Sequence, residues 1–264
     1  MPDRNWLSRT ELLIGDTGLD RLSRAHVLVV GLGGVGSFAA EFVARAGVGR
    51  LTIVDGDVVD PTNRNRQLPA LATTHGQFKA DIMAERLTAI NPDIKLRVIR
   101  AFIQPDRVQD LLDSGPFDYV MDCIDSITPK LLLLQAAYQR GFPIVSSMGA
   151  GGKLDPTKIH VTDLFETWSC TMAQYVRKRL KRLSVGPGIK AVFSTEPVRD
   201  ESLLLTDGGS FKRSAYGTIS YLPATFGSVC ASVVIRDLLD EPIPMIERPA
   251  FIRRKKQTES VISE

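Results

Sequence analysis

The feature that most constrains this chain is an apolar run that leads directly into a cluster of glycines. Residues 26–30 read His-Val-Leu-Val-Val, and residues 31–36 read Gly-Leu-Gly-Gly-Val-Gly. This order predicts a strand, a tight turn and the start of a helix. Glycines in such a turn let backbone amides approach phosphate oxygens at a helix N-terminus, although a turn without a ligand can carry them too. The candidate nucleotide-binding residues here are Gly31, Gly33, Gly34 and Gly36.

The first half of the chain alternates short apolar runs with stretches of helical period. Strands are predicted at 26–30, 51–55, 94–99, 119–122 and 143–147, and helices at 37–46, 78–90 and 130–140. Such alternation is typical of an α/β fold with a doubly wound, mostly parallel sheet. At 264 residues, with 44% hydrophobic and 24% charged residues, the chain can bury one substantial core. We therefore expect a single domain.

The second half is less regular. A strand is predicted at 158–162, a basic helix at 172–183, mostly loop at 184–217, and a helix at 224–239 that packs on the sheet or on a second subunit. We divide the domain into an N-terminal arm (1–24), a nucleotide-binding half (25–149), a half for substrate and subunit contacts (150–245) and a basic, flexible tail (246–264).

An acidic residue closes the second predicted strand. Asp55 lies about 20 residues after the glycines, where a carboxylate reaches the ribose hydroxyls of a bound nucleotide. NAD sites carry a carboxylate at the same place. Asp55 alone therefore does not separate ATP from NAD.

Two cations downstream favour ATP. Transfer from ATP needs fixed positive charge to stabilise the pyrophosphate leaving group, and Arg66 and Lys79 are candidates for that role. The alternative is a solvated loop for Arg64 and Arg66 and an exposed helical position for Lys79. For Asp57, the alternative to a role in nucleotide binding is that it only bends the loop.

A second acidic position follows the fourth predicted strand. Asp125 lies at a carboxyl end of the sheet, where ligands bind in open α/β folds. A carboxylate there suits Mg²⁺ bound to phosphates. The competing role for Asp125 is the N-cap of the next helix, although Ser126 or Thr128 can also serve.

Several functional classes are disfavoured by composition. Three widely spaced cysteines without a CxxC pair indicate a reducing compartment and no structural zinc site. The N-terminus lacks an export signal, and no stretch has the length of a membrane span. We expect a cytoplasmic protein. The net charge is only +3, but basic residues cluster at 177–182 and 253–256, which indicates an anionic partner.

These residues together resemble the E1-like, ThiF-type adenylating enzymes. The resemblance runs from about Arg9 to Gly149, and the positions that match the family's ATP and Mg²⁺ groups are the turn at 31–36, Asp55, Asp57, Asn63, Arg66, Gln67, Lys79 and Asp125. It implies ATP and Mg²⁺ as cofactors and Arg66, Lys79 and Asp125 as catalytic residues. Arg9 resembles an N-terminal arginine that reaches the partner subunit's ATP site, which implies a homodimer. The alternative is a surface arginine on a loose arm.

The second half is similar to a narrower group within this family, the enzymes that dehydrate threonylcarbamoyladenosine in tRNA. The matching segments are 146–153, 176–180, 192–196 and 217–227. The resemblance implies adenylation of the threonyl carboxylate, then ring closure by a nucleophile of the same side chain. It also implies that the basic helix contacts tRNA near the anticodon through Arg177, Lys178, Arg179, Lys181 and Arg182. These five charges can equally form a solvated helix face.

Two other functions stay open. The chain lacks the zinc-binding CxxC pairs and a well-placed thioester cysteine, which argues against activation of a ubiquitin-like or sulfur-carrier protein. A sulfur-transfer-type protein remains a candidate partner. A nicotinamide dehydrogenase would rest on Gly31, Gly33, Gly36 and Asp55 alone.

Overall fold

A seven-stranded sheet forms the centre of the computed structural model, which describes residues 4–205 and 214–250. Its strands are β1 (His26–Val30), β2 (Arg50–Val54), β3 (Lys95–Ile99), β4 (Tyr119–Asp122), β5 (Ile144–Ser147), β6 (Ile159–Asp163) and β7 (Lys190–Ser194). The order is β3-β2-β1-β4-β5-β7-β6, and only β6 runs antiparallel to its neighbour. A separate hairpin pairs β8 (Leu203–Leu205) with β9 (Ser214–Tyr216). The predicted doubly wound, mostly parallel sheet is confirmed.

Helices cover both faces of the sheet. They are α1 (Ser8–Arg24), α2 (Gly36–Arg45), α3 (Lys79–Ile90), α4 (Val108–Asp113), α5 (Ile127–Gln139), α6 (Thr171–Arg182) and α7 (Tyr221–Leu238). One apolar core lies under α2, α3 and α7, and the other under α4, α5 and α6. Helix α7 packs closely on α2, because a Cβ added at Gly227 would lie 2.4 Å from the Val35 carbonyl oxygen. The final helix therefore packs inside its own chain.

The expectation of mostly loop over 184–217 misses three strands. Strand β7 lies inside this segment and pairs with both β5 and β6, and β8 and β9 also fall there. The apolar run of β7 is short and is flanked by glycine and proline, so its local pattern resembles a loop. Its pairing partners are distant in sequence and supply the stabilisation that the local pattern lacks. Residues 206–213 lie outside the described part.

The N-terminal arm is mostly helical rather than loose. Helix α1 is interrupted at Gly15, whose φ of 70° is left-handed. Leu7, directly before α1, and Leu19, after the interruption, pack at the same place, because both contact the position of a Cβ added at Gly47. The arm is thus part of the folded body. Of the expected tail, residues 251–264 lie outside the described ranges.

Within residues 4–205 and 214–250, no helix combines sufficient length with sufficient apolar character to cross a bilayer.

Candidate nucleotide site

The glycine turn lies between β1 and α2 and requires glycine at two positions. Gly31 has a φ of 90°, and a Cβ there would lie 2.9 Å from the Cys123 carbonyl oxygen. A Cβ at Gly36 would lie 1.7 Å from the Gly31 carbonyl oxygen. The backbone is packed so closely at these two positions that the turn is tight, and α2 begins at its last glycine, Gly36. The amino end of α2 and its unpaired backbone amides therefore face the carboxyl edge of the sheet.

Asp55 holds this turn in place. Its carboxylate accepts hydrogen bonds from the Leu32 amide at 2.6 Å and from the Asp57 amide at 2.7 Å. Burial raises the pKa of Asp55, while the Leu32 amide and the charge of Lys79 act in the opposite direction. Each carboxylate oxygen keeps a second lone pair, so Asp55 can position the turn and still accept a hydrogen bond from a ribose hydroxyl.

Lys79 is buried and not the exposed helical residue of the alternative interpretation. It begins α3, and its side chain is 6% exposed. The ammonium lies 3.1 Å from Asp57 Oδ2, and the Lys79 amide donates to the Asp57 carbonyl oxygen at 3.1 Å. Asp57 therefore does more than bend the loop, because it fixes a cation at the sheet edge.

The loop after β2 brings Arg66 beside the glycine turn. A Cβ at Gly34 would lie 3.3 Å from the Arg66 carbonyl oxygen and 3.5 Å from its Cγ. The half-exposed guanidinium donates to the Thr62 carbonyl oxygen at 3.0 Å and to Asn65 Oδ1 at 2.8 Å. Arg66 is thus held near the turn with further N–H donors available for a phosphate.

Asn63 and Gln67 have different local roles. The Asn63 side chain accepts from the Asp60 amide at 3.2 Å and caps the loop's short 3-10 turn. Gln67 Nε2 would lie 3.7 Å from a Cβ at Gly33. Gln67 Oε1 is buried and has no hydrogen-bond partner. A buried unsatisfied oxygen costs about 1–3 kcal/mol, so its place beside the turn points to a ligand that satisfies it.

Asp125 is exposed at the carboxyl edge of the sheet, next to Ser126. Ser126, not Asp125, occupies the N-cap position of α5, so the competing role for Asp125 is wrong. No group of three or more His, Cys, Asp or Glu side chains suited to a metal occurs within 4–205 and 214–250. An ion at Asp125 would therefore need further oxygen ligands from phosphates or water, which is the usual arrangement for Mg²⁺.

A buried ion pair lies directly beneath this edge and was not predicted from the sequence. Asp122 and Lys130 are fully buried and paired, and the Lys130 ammonium also donates to the Ser147 carbonyl oxygen at 2.9 Å. Ser146 adds a hydrogen bond to the Asp122 carboxylate. The pair ties the carboxyl ends of β4 and β5 together. One available signal was the lysine standing immediately before four consecutive leucines, 131–134.

The basic residues of α6 divide into two sets. Lys178, Arg179, Lys181 and Arg182 are exposed. Arg177 is half-buried, and its guanidinium donates to the Thr167 carbonyl oxygen at 2.8 Å and to the Thr167 hydroxyl. Burial and the nearby Arg248 lower the pKa of Arg177. Arg177 therefore anchors α6, and the expectation that it lies on the open surface with the others is wrong.

Arg9 is far from the nucleotide residues of its own chain. It is exposed at the start of α1, two residues after Leu7, which packs at Gly47 just past the C-terminal end of α2. The glycine turn precedes the other end of this ten-residue helix, about 15 Å away at the usual helical rise. Leu12 and Leu13, in the same helix, are 81% and 84% exposed.

The arrangement fits a nucleoside triphosphate. A narrow turn presents backbone amides, Arg66 lies beside it, Lys79 is held at the same edge by Asp57, and the Asp55 carboxylate lies at the ribose position. A dinucleotide uses the turn and the carboxylate but gives no reason for a buried lysine at this edge.

Comparisons with known proteins agree with this geometry. A model of the ThiF family matches residues 7–262. The chain is 38% identical over 243 residues to tRNA threonylcarbamoyladenosine dehydratase of Bacillus subtilis (strain 168), covering 89% of this chain and 94% of that protein. It is 39% identical over 247 residues to the Escherichia coli (strain K12) protein of that name, covering 87% and 92%.

Solved structures show the same similarity in three dimensions. The E. coli tRNA N6-threonylcarbamoyladenosine dehydratase TcdA in complex with ATP superposes with a TM-score of 0.81 at 38% identity, covering 90% of this chain and 95% of that chain. E. coli MccB with AMPCPP and MccA, at 18% identity and a TM-score of 0.61, shares the fold alone. The chain therefore belongs to the ThiF family of E1-like adenylating enzymes, in the group that contains the tRNA threonylcarbamoyladenosine dehydratases.

Proposed function

We propose that this enzyme uses ATP to cyclise the threonylcarbamoyl side chain of N6-threonylcarbamoyladenosine in tRNA. The observation that carries the proposal is the similarity of nearly the whole chain to enzymes of that name, one of them solved with ATP. The glycine turn, Asp55 and Lys79 support ATP as the nucleotide.

In the first step a threonyl carboxylate oxygen attacks the α-phosphorus of ATP. A bond forms between them, the bond from the α-phosphorus to the bridging oxygen breaks, and pyrophosphate leaves. Arg66 and Lys79 stabilise the negative charge that develops on the phosphates. Asp125 would hold Mg²⁺, which would supply further neutralisation of the charge on the phosphates.

In the second step a nucleophilic atom of the same side chain attacks the activated acyl carbon. The new bond closes the ring, AMP leaves with the carboxylate's former oxygen, and the nucleophile loses its proton. The modified adenosine has then lost one water, while ATP has become AMP and pyrophosphate. No protein nucleophile is needed, because the attacking atom belongs to the substrate.

We assign tRNA contact to the exposed face of α6. Met172, near the start of α6, packs at Gly149 beyond the carboxyl end of β5. From there the twelve-residue helix extends about 18 Å along the surface and presents Tyr175, Lys178 and Arg182 in helical succession. Lys and Arg side chains along such a track suit phosphates of an anticodon stem, and an exposed tyrosine suits stacking on an unpaired base. A tRNA substrate also favours the cytoplasm.

We further propose a homodimer in which Arg9 serves the ATP site of the partner subunit. Leu7 anchors this part of the chain at the end of α2 opposite the glycine turn, and the nearby Leu12 and Leu13 offer apolar surface for a subunit contact. A sulfur-transfer-type partner protein would be an additional component.

The direct test is the mass of the product nucleoside. The protein is incubated with ATP, Mg²⁺ and threonylcarbamoylated tRNA, and the digested nucleosides are weighed. The expected result is loss of one water from threonylcarbamoyladenosine together with AMP and pyrophosphate. An unchanged nucleoside rejects the proposal. Pyrophosphate exchange stimulated by a small carrier protein, and indifferent to tRNA, would favour carrier activation instead.

A further inference from the structure

A cavity of about 210 Å³ lies beside the nucleotide site and is built from the second half of the chain. Its walls are the turn at 152–154, Arg199, Ser202 and the segment 217–219. None of these residues takes part in the adenylation and ring-closure steps. The volume is below the 300–1,000 Å³ usual for pockets that enclose a drug-sized ligand, so the cavity suits one small side chain.

One wall of this cavity is connected to the phosphate-binding residues by two hydrogen bonds. The Thr218 carbonyl oxygen accepts from Asn65 Nδ2 at 2.8 Å. Asn65 Oδ1 in turn accepts from the Arg66 guanidinium at 2.8 Å. A group that occupies the cavity therefore lies next to the residue that faces the ATP phosphates.

The opposite wall is connected to the glycine turn. The Tyr221 hydroxyl donates to the Leu154 carbonyl oxygen at 2.8 Å. Two residues later Pro223 packs on Gly34, where an added Cβ would lie 3.0 Å from the proline Cβ. The start of α7 thus bridges the cavity and the turn.

The cavity is preformed. Gly152 has a φ of 73°, and its amide donates to the Gly217 carbonyl oxygen at 2.8 Å. The Arg199 amide donates to the Gly152 carbonyl oxygen at 3.1 Å, and the Gly217 amide donates to the Ser202 carbonyl oxygen at 2.8 Å. Three separate segments are therefore held in one arrangement by backbone hydrogen bonds.

Two cations and an aliphatic group line the cavity. Lys153 is 3% exposed, and its ammonium donates to the Glu196 carbonyl oxygen. The Glu196 carboxylate is occupied by the backbone amides of Leu154 and Asp155, at 3.0 and 2.8 Å. An ammonium has three donors, so Lys153 retains capacity for another acceptor. Arg199 is exposed at the rim, and Ile219 adds apolar surface.

We propose that this pocket receives the threonyl group of the substrate, with its carboxylate directed to Lys153 and Arg199 and its methyl group packed on Ile219. This inference rests on the proposed function and names the subsite of that reaction. A carboxylate that must approach a triphosphate is repelled by it, and the two cations offset that repulsion. The apolar wall would distinguish a threonyl from a glycyl side chain.

The test begins with binding, because binding does not depend on turnover. N-Carbamoyl-L-threonine is titrated calorimetrically into the full-length protein saturated with a non-hydrolysable ATP analogue. Wild type and Arg199→Lys should bind it, whereas Arg199→Gln should bind at least tenfold more weakly. All three should bind the ATP analogue equally. Absence of binding to the wild type, or equal binding by wild type and Arg199→Gln, overturns the assignment of this pocket to the threonyl group.

A kinetic experiment separates the pocket from the overall function. Ile219→Ala removes the apolar surface that contacts the methyl group and should raise KM at least threefold for threonylcarbamoylated tRNA, while KM for glycylcarbamoylated tRNA stays as in wild type. Met245→Ala, at a position 49% exposed and outside the cavity, is the matched control and should behave as wild type with both tRNAs. Equal effects on both tRNAs, or no effect, reject the subsite while the function stands. An inactive wild type rejects the proposed function, and the binding titration then decides the pocket separately.

Discussion

The ammonium of Lys79 lies 3.1 Å from Asp57 Oδ2, with the lysine side chain 6% exposed and the aspartate side chain 44% exposed. Burying an unpaired ammonium is costly, and the pair with Asp57 offsets part of that cost at the sheet edge. An ammonium has three donors, so Lys79 can bond to Asp57 and still donate to a ligand. The arrangement holds a fixed cation beside the glycine turn before any nucleotide arrives.

Lys79→Ala should therefore lower the rate of adenylation more than the affinity for ATP. We expect pyrophosphate release with threonylcarbamoylated tRNA to fall about 10²–10³-fold, the usual effect of removing one donor that stabilises transition-state charge. Lys95→Ala, on the exposed edge strand β3, is the control and should release pyrophosphate as wild type does. Intact adenylation by Lys79→Ala would remove this lysine from the mechanism.

The glycine turn should respond differently at two of its positions. A Cβ at Gly33 meets no atom closer than 3.7 Å, whereas a Cβ at Gly36 would lie 1.7 Å from the Gly31 carbonyl oxygen. Gly33→Ala should leave Tm within about 2 °C, a change of about 1 kcal/mol or less, yet weaken ATP binding because its methyl group faces the ligand. Gly36→Ala should lower Tm and abolish ATP binding together. Thermal melts and ATP titrations check both, and unchanged ATP affinity in Gly33→Ala would contradict the site.

Arg9 should act across the subunit contact. Arg9→Ala and Lys79→Ala are each expected to be nearly inactive. Mixing them after subunit exchange should restore about a quarter of wild-type activity, because half of the dimers are mixed and each contains one intact site. Wild-type activity in Arg9→Ala alone, or no recovery on mixing two inactive variants that exchange subunits, would exclude this role.

The exposed charges of α6 should govern affinity for tRNA and its dependence on salt. Lys178→Glu combined with Arg182→Glu should weaken tRNA binding at least tenfold and reduce the salt slope by about 1–2, since each phosphate contact contributes about 0.7–0.9. The control, Lys95→Glu with Arg107→Glu, changes net charge equally at another surface. Equal weakening by both double variants would show that net charge, not α6, decides the affinity.

The buried pair beneath the site should contribute mainly to stability. Lys130→Met leaves the Asp122 carboxylate buried without its cation, so the free energy of unfolding should fall by about 3–5 kcal/mol. Urea denaturation measures this change. Lys181→Met, at an exposed position of α6, should change it by less than about 0.5 kcal/mol. A small effect at Lys130 would mean that Ser146 and bound water satisfy the carboxylate alone.

Local sequence determined the nucleotide-binding half of this protein. A strand of β-branched residues, glycines that alone tolerate the turn, and apolar residues at helical spacing act over a few neighbouring positions, so β1, β2, β4, β5 and their helices were predictable. The spacing of Asp55, Arg66, Lys79 and Asp125 also pointed to ATP. Strand β7 was not predictable in this way, because its stability comes from pairing with β5 and β6 rather than from its own short pattern.

Tertiary structure alone decided which charged side chains face a ligand. Sequence does not distinguish Arg177 from Lys178, yet packing against Thr167 buries one and leaves the other in solvent. It likewise gives no sign that Asn65 bonds to Thr218, 153 residues away, and so connects a second cavity to the phosphate site. Burial and hydrogen bonding between distant segments depend on how the helices and strands pack. A local sequence pattern does not specify that packing, because it contains only neighbouring residues.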